Sequence, residues 1–137
     1  MALNKIHKFE QKVVLALNGL YDWDLTWAEN KQDFYDAYGK TWKGIPCFVE
    51  MKFRNTYYEY KMLEKSKYDK LMAHDPEAAK IYLVSDPKGT YWFYLNKLKM
   101  PEPVEMRLPD STLWTKKRKP KLVYLLKEEM ASMVTLE

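Results

Sequence analysis

A carboxylate and an ammonium two residues apart interrupt the apolar run Cys47-Phe48-Val49-Glu50-Met51-Lys52-Phe53. The run reads as a strand, and strand alternation puts Glu50 and Lys52 on one face and Val49, Met51 and Phe53 on the other. Charges in the middle of a buried strand are costly unless they are paired, metal-bound or engaged in chemistry. The local physics therefore favours a site over surface decoration.

The 137 residues suit a single domain spanning 1–137, with a core at about 6–95 and a C-terminal extension at about 96–137. A hydrophobic fraction of 47% with 15% aromatic residues argues for a folded chain. A net charge of +4 permits an anionic partner without requiring one. No apolar run is long enough to span a bilayer, and the N-terminus carries no signal-peptide core, so the chain reads as intracellular, in the cytoplasm. The lone Cys47 excludes an internal disulfide and a cysteine-based zinc site. With only His7 and His74, a histidine-rich metal centre or a Ser-His-Asp triad is disfavoured.

Ile6, Phe9, Val13, Leu17 and Leu20 fall at helical spacing and predict an amphipathic first helix ending near Gly19, with Glu10 on the margin of its apolar face. A short strand is expected around Trp23 to Trp27. The next should run from Gln32 to Tyr38, turn between Gly39 and Gly44, and return as Ile45 to Arg54. Asp33 and Asp36 point to opposite faces of that strand, so only one can share a cation with Glu50. Placing Asp36 opposite Glu50 centres the hairpin on Lys43, beside Gly44. Placing Asp33 there leaves a two-residue Thr41-Trp42 turn of poor turn formers, which favours Asp36.

A tyrosine-rich connection, Asn55 to Tyr60, leads into a predicted helix from Lys61 to Ala73. Its inward stripe is Tyr60, Leu63, Lys67, Leu71 and His74, where Lys67 either snorkels outward or serves a site. Ile81–Ser85 and Thr90–Leu95 form a hairpin through Asp86-Pro87-Lys88-Gly89. Pro101, Pro103 and Pro109 imply extended segments that cover the core. A last strand is expected at Leu122–Leu126, and a closing helix at Lys127–Val134. The basic run Lys116, Lys117, Arg118 and Lys119 is either a solvated loop or a phosphate-contact surface. Val104-Glu105-Met106-Arg107 repeats the Glu-x-basic pattern more weakly, with proline neighbours and arginine in place of lysine.

Asp36, fourteen residues before Glu50, gives Asp-x13-Glu-x-Lys. This resembles the catalytic signature of the PD-(D/E)xK phosphodiesterase superfamily, the restriction-endonuclease-like nucleases. The order of elements from Ile6 to Leu95 is similar as well, and Glu64 to Leu71 resembles the helix that follows the signature in phage and bacterial members. The chain lacks a proline before the aspartate, and its C-terminal third lies outside the resemblance. The nearest likeness is to small stand-alone enzymes of bacteriophages and mobile DNA, including resolvase-like nucleases.

The resemblance implies an α/β fold with a mixed central sheet flanked by helices, and Mg2+- or Mn2+-dependent hydrolysis of phosphodiesters in nucleic acid, DNA foremost. Asp36, Glu50 and the backbone carbonyl of Met51 would hold the metal. Lys52 would orient or deprotonate the attacking water, Glu10 would serve a second metal or an outer water, and Lys67 would stabilise the phosphate. No specificity domain is recognisable, which leaves specificity to a homodimer or a protein partner. Two other classes fit the same residues: a catalytically silent nucleic-acid-binding module, and a phage-type protein-interaction or inhibitor module with a tyrosine-rich interface.

Overall fold

The computed structural model describes residues 5–28, 35–109 and 118–136. Helix α1 (Lys5–Tyr21) is followed by β1 (Asp24–Trp27), β2 (Ala37–Lys40) and β3 (Pro46–Phe53), then β4 (Tyr60–Glu64) and α2 (Lys65–Ala73). Next come β5 (Ala79–Asp86), β6 (Gly89–Tyr94), β7 (Val104–Pro109), β8 (Arg118–Lys127) and β9 (Met133–Leu136). The main sheet has the order β1-β2-β3-β5-β6-β9, and a second, three-stranded sheet has the order β4-β8-β7. Among the described strands only β3 and β5 pair in parallel, and that pairing requires a crossover, which β4 and α2 supply.

Two apolar clusters sandwich the main sheet. On one face α1 lays Val14 and Leu17 on Leu25, Cys47, Val49 and Met51. On the other, Leu63, Leu71 and Leu126 cover Tyr82, Val84 and Phe93. β5 is buried along its whole length because both of its faces are covered, as expected of a strand in a parallel pair. β6, next to the edge strand β9, alternates between buried and half-buried residues.

The hairpin of β2 and β3 has the register expected from turn chemistry. Lys40 faces Pro46 and Ala37 faces Val49, which centres it on Lys43. Gly44 adopts φ +78°, a conformation that side chains with a Cβ rarely take. Gly39 is fixed by a different constraint. It lies opposite Leu25, and a Cβ there would stand 1.9 Å from the carbonyl oxygen of Asp24. Gly39→Ala must push β1 and β2 apart, and urea melts should show a loss of about 2–3 kcal/mol, at the upper end of overpacking costs. An unchanged melt would mean that the edge strand yields freely.

Four elements differ from the sequence expectation. The strand before the hairpin, expected from Gln32 to Tyr38, starts at Ala37 and runs through Gly39 to Lys40, with residues 32–34 outside the described ones. Tyr60 to Glu64 is a strand rather than the first turn of a helix; its alternating burial fits its pairing with β8. The closing helix is absent: Glu128–Met130 make one 3-10 turn, and Met133–Leu136 extend the main sheet as β9 beside β6. Around α1 the buried line is Glu10, Val14 and Leu17, whereas Ile6 and Leu20 are exposed. The inward face is thus rotated toward Glu10, which lies inside the interface rather than on its margin. No described helix is long and apolar enough to cross a membrane.

Candidate functional site

The strand β3 carries the charged residues into the space between the two sheets. Glu50 and Lys52 alternate with Val49 and Met51, which point into the α1 cluster. Glu50 is buried (7% exposed), whereas Lys52, which lines the same cleft, is exposed. Lys67, one turn into α2, brings its Nζ to 3.5 Å from Glu50 Oε1. The stripe Leu63, Lys67, Leu71 thus aims its lysine at the carboxylate rather than away from it. With Arg54 and Tyr82 these groups line a cleft of about 20 Å3, room for one ion or water and no more.

Asp36 enters from the strand next door. β2 begins at Ala37, and Asp36 just before it keeps one backbone bond to β3, its N–H donating to the Val49 carbonyl at 2.8 Å. Its carboxylate Oδ2 accepts the Met51 N–H at 2.7 Å. In a strand the N–H and C=O of one residue leave the same edge. The Met51 carbonyl therefore points off the edge of β3 where β2 has already stopped, on the side of Asp36. Asp33, the competing carboxylate, lies outside the described residues, as do Lys116 and Lys117. Arg118 begins β8, and Lys119 beside it is exposed on that strand.

Glu10 comes from α1. It is buried, and its Oε1 accepts the indole N–H of Trp27 at 3.0 Å. Burial raises its pKa, the Trp27 hydrogen bond opposes this, and the nearby Asp36 carboxylate adds a smaller push upward. Glu105, in the weaker Glu-x-basic copy, lies on β7 of the three-stranded sheet, opposite Leu122.

The electrostatics separates these groups. Burial, and then the neighbouring Asp36, push Glu50 up to about 8, with Lys67 opposing. Burial also raises Asp36, against the pull of the Met51 N–H and of Lys67 and Lys52. The two lysines diverge. Desolvation, Lys67 and Arg54 lower Lys52, with Glu64 and Glu50 opposing. Desolvation works against the charge of Lys67 too, but Glu50, Glu64 and Asp36 outweigh it and raise its pKa. Paired titratable groups driven apart in this way are the usual basis of acid–base assignments. Cys47, by contrast, is buried among apolar neighbours with its thiol pushed up to about 12, and is packing rather than nucleophile.

Among the described residues, no three His, Cys, Asp or Glu side chains converge as a ready-made cation cage. The hard oxygen donors that come together on neighbouring strands are Asp36 and Glu50, both with pKa values raised first by burial. Two carboxylates and a strand-edge carbonyl suit a cation such as Mg2+ or Mn2+, which ordinarily keeps several of its waters.

No family model matches the chain, and no curated protein matches it. A solved structure does. Hjc, a Holliday junction resolvase from the archaeal hyperthermophile Archaeoglobus fulgidus, superposes with a TM-score of 0.60 at 14% identity, covering 97% of this chain and 92% of that one. The chain shares the mixed α/β fold of that structure. At 14% identity the likeness is one of fold, and it runs through the C-terminal third that the sequence resemblance left out. Several residues around the site carried no motif: Arg54 and Tyr82, which line the cleft, and Trp27, which holds Glu10. One signal was available, because the alternation that pairs Glu50 with Lys52 continues to Arg54.

Proposed function

We propose that this chain is a metal-dependent nuclease that hydrolyses DNA phosphodiesters, with Asp36, Glu50, Lys52 and Lys67 as its working set and Glu10 in support. The observation that carries this reading is geometric: the buried Glu50 carboxylate shares one cleft with Lys52 and Lys67, Lys67 Nζ lies 3.5 Å from it, and Asp36 is held on the Met51 N–H next door. The fold shared with a Holliday junction resolvase supports it.

Asp36, Glu50 and the Met51 carbonyl would hold the cation. When bound, a divalent ion supplies positive charge against a phosphate oxygen and lowers the pKa of water. Lys52, with its depressed pKa, orients the attacking water and accepts its proton more readily than an ordinary lysine. Lys67, held cationic by three carboxylates, stabilises the negative charge that builds on the phosphate. Glu10, anchored by Trp27, keeps the far side of the cluster negative and holds an outer water. Lys116, Lys117, Arg118 and Lys119 are assigned to backbone phosphates, which carry affinity without sequence information. Target specificity then falls to a second copy or a protein partner.

The test is digestion of a fluorogenic DNA with Mg2+, with Mn2+ and with EDTA. Cleavage should require metal, and Lys67→Ala should slow it by about a hundredfold with a native thermal melt. Cleavage that persists in EDTA, or full activity of purified Lys67→Ala, would sink the assignment.

A further inference from the structure

An apolar groove of about 440 Å3 adjoins the charged cleft. Its floor is the open face of the three-stranded sheet, where Met62 of β4 sits opposite Leu125 of β8, with Met106 of β7 beyond. Tyr58 and Tyr60 line it as well, 53% and 43% exposed. Large apolar side chains gathered in one patch, rather than scattered, mark a binding surface.

Arg54 and Met62 belong to both cavities, so whatever fills the groove is contiguous with whatever reacts in the cleft. Arg54 is the groove's cation and lies at the cleft end, its guanidinium 5.6 Å from the centre of the Tyr58 ring. Glu59 at the rim adds an acceptor. An aromatic and methionine surface that ends in an arginine offers π-stacking along its length and a phosphate contact at one end.

We infer that the groove is a nucleobase subsite. An unpaired base stacks on Tyr58 and Tyr60 over the Met62–Leu125 floor, and Arg54 binds the phosphate that joins this nucleotide to the one in the cleft. A base within a duplex presents only its edges to a protein, and its π-face becomes accessible only when the strand is unstacked. The substrate feature this selects is an unpaired nucleotide in a single-stranded or flapped segment beside the cleavage point. The inference rests on the nuclease reading for where the phosphate sits, but not for the binding of the base.

The two can be tested apart. In EDTA, where no cleavage is needed, the full chain is titrated with an overhang duplex carrying 2-aminopurine in its unpaired segment, and with a blunt duplex of the same length. Wild-type protein should quench the probe. Tyr58→Ala/Tyr60→Ala should weaken overhang binding by about tenfold or more, and Tyr58→Phe/Tyr60→Phe should restore it. Blunt-duplex affinity should change by about twofold or less, because phosphate contacts carry it. Both rings are exposed and Tyr58 is tied into the fold through its carbonyl, so the alanine variant should fold, as a thermal melt will show. Equal losses on both DNAs, or no loss on either, overturn the subsite. So does a wild-type dimer that becomes monomeric in the alanine variant by light scattering, since the groove would then hold a second copy. Quenching without cleavage in Mg2+ would keep the subsite and refute the nuclease; cleavage without discrimination by the alanine variant would do the reverse.

Discussion

Glu50→Gln should make the metal-free protein more stable at neutral pH and at the same time abolish its cleavage of DNA. Burial and Asp36 hold the folded-state pKa of Glu50 up at about 8. In the unfolded chain the same group ionises at the ordinary glutamate value. Between those two values the folded chain keeps a proton that the unfolded chain has lost, so folding is penalised. The penalty is absent below the ordinary value, grows as pH rises through the window, and levels off above the folded-state pKa. Near pH 7 it is on the order of 3 kcal/mol. Glutamine keeps the shape and cannot ionise. The Lys67 contact it gives up costs little, because that ammonium is 37% exposed.

Urea melts should therefore show a gain for Glu50→Gln that is small near pH 4 and largest near pH 8. Adding Mg2+ or Mn2+ should raise the melting temperature of the wild type, since a ligand of the folded state stabilises by mass action, and should do far less for the variant. Lys52→Ala, which leaves both carboxylates in place, should retain the metal response while losing about 10²- to 10⁴-fold in rate. A stability difference that does not vary with pH would mean that Glu50 is already compensated in the apo protein. A variant that still cleaves would remove Glu50 from the centre.

The parts of this arrangement that could be read from sequence are those encoded locally. Glu50 and Lys52 share a face because strand alternation needs no partner to be specified. The Lys43-centred hairpin followed from where Gly44 could turn the chain, and that turn brought Asp36 to the Met51 N–H. The segment Tyr60–Glu64 was misread for the opposite reason. Tyr60, Leu63, Lys67 and Leu71 satisfy a helical stripe, but β8, some sixty residues later, offers the backbone a ladder. The closing helix failed likewise, because Met133–Leu136 answers to the free edge of β6 rather than to its own propensity. Glu10 looked marginal since a polar residue in a buried line is visible only once its partner, Trp27, is placed. Lys61 and Lys80 carry no signal of their own in the sequence and are among the most deeply buried side chains. Lys80 is held by the Asp75 carbonyl at 2.8 Å. In each case the deciding contact is distant in sequence or carries no pattern of its own.

Lys61→Met should be among the most damaging single substitutions outside the cleft. The ammonium of Lys61, 1% exposed, lies 2.7 Å from Asp86 Oδ2, which is equally buried, and 3.2 Å from Glu128 Oε1. The rings of Tyr57 and Tyr91 flank it at 4.3 and 4.2 Å. It also donates to the Tyr58 carbonyl at 2.6 Å, and Tyr57 donates its hydroxyl to Glu128. One lysine thus clamps the tyrosine connection, the β5–β6 turn and the 3-10 turn after β8. Removing it strands a buried carboxylate, a loss of about 3–5 kcal/mol. Asp86 has a second duty, accepting the Lys88 N–H at 2.8 Å in the turn, and asparagine can keep that bond while shedding the charge. Lys61→Met/Asp86→Asn should therefore recover a large part of the loss, giving a coupling energy of about 1–3 kcal/mol in a double-mutant cycle. Because Lys61 also fixes the backbone beneath Tyr58, the double variant should regain stability without regaining the full preference for overhang DNA. Simple additivity in the cycle would show that Asp86 finds another partner, and full recovery of both properties would show that Tyr58 is held in place without Lys61.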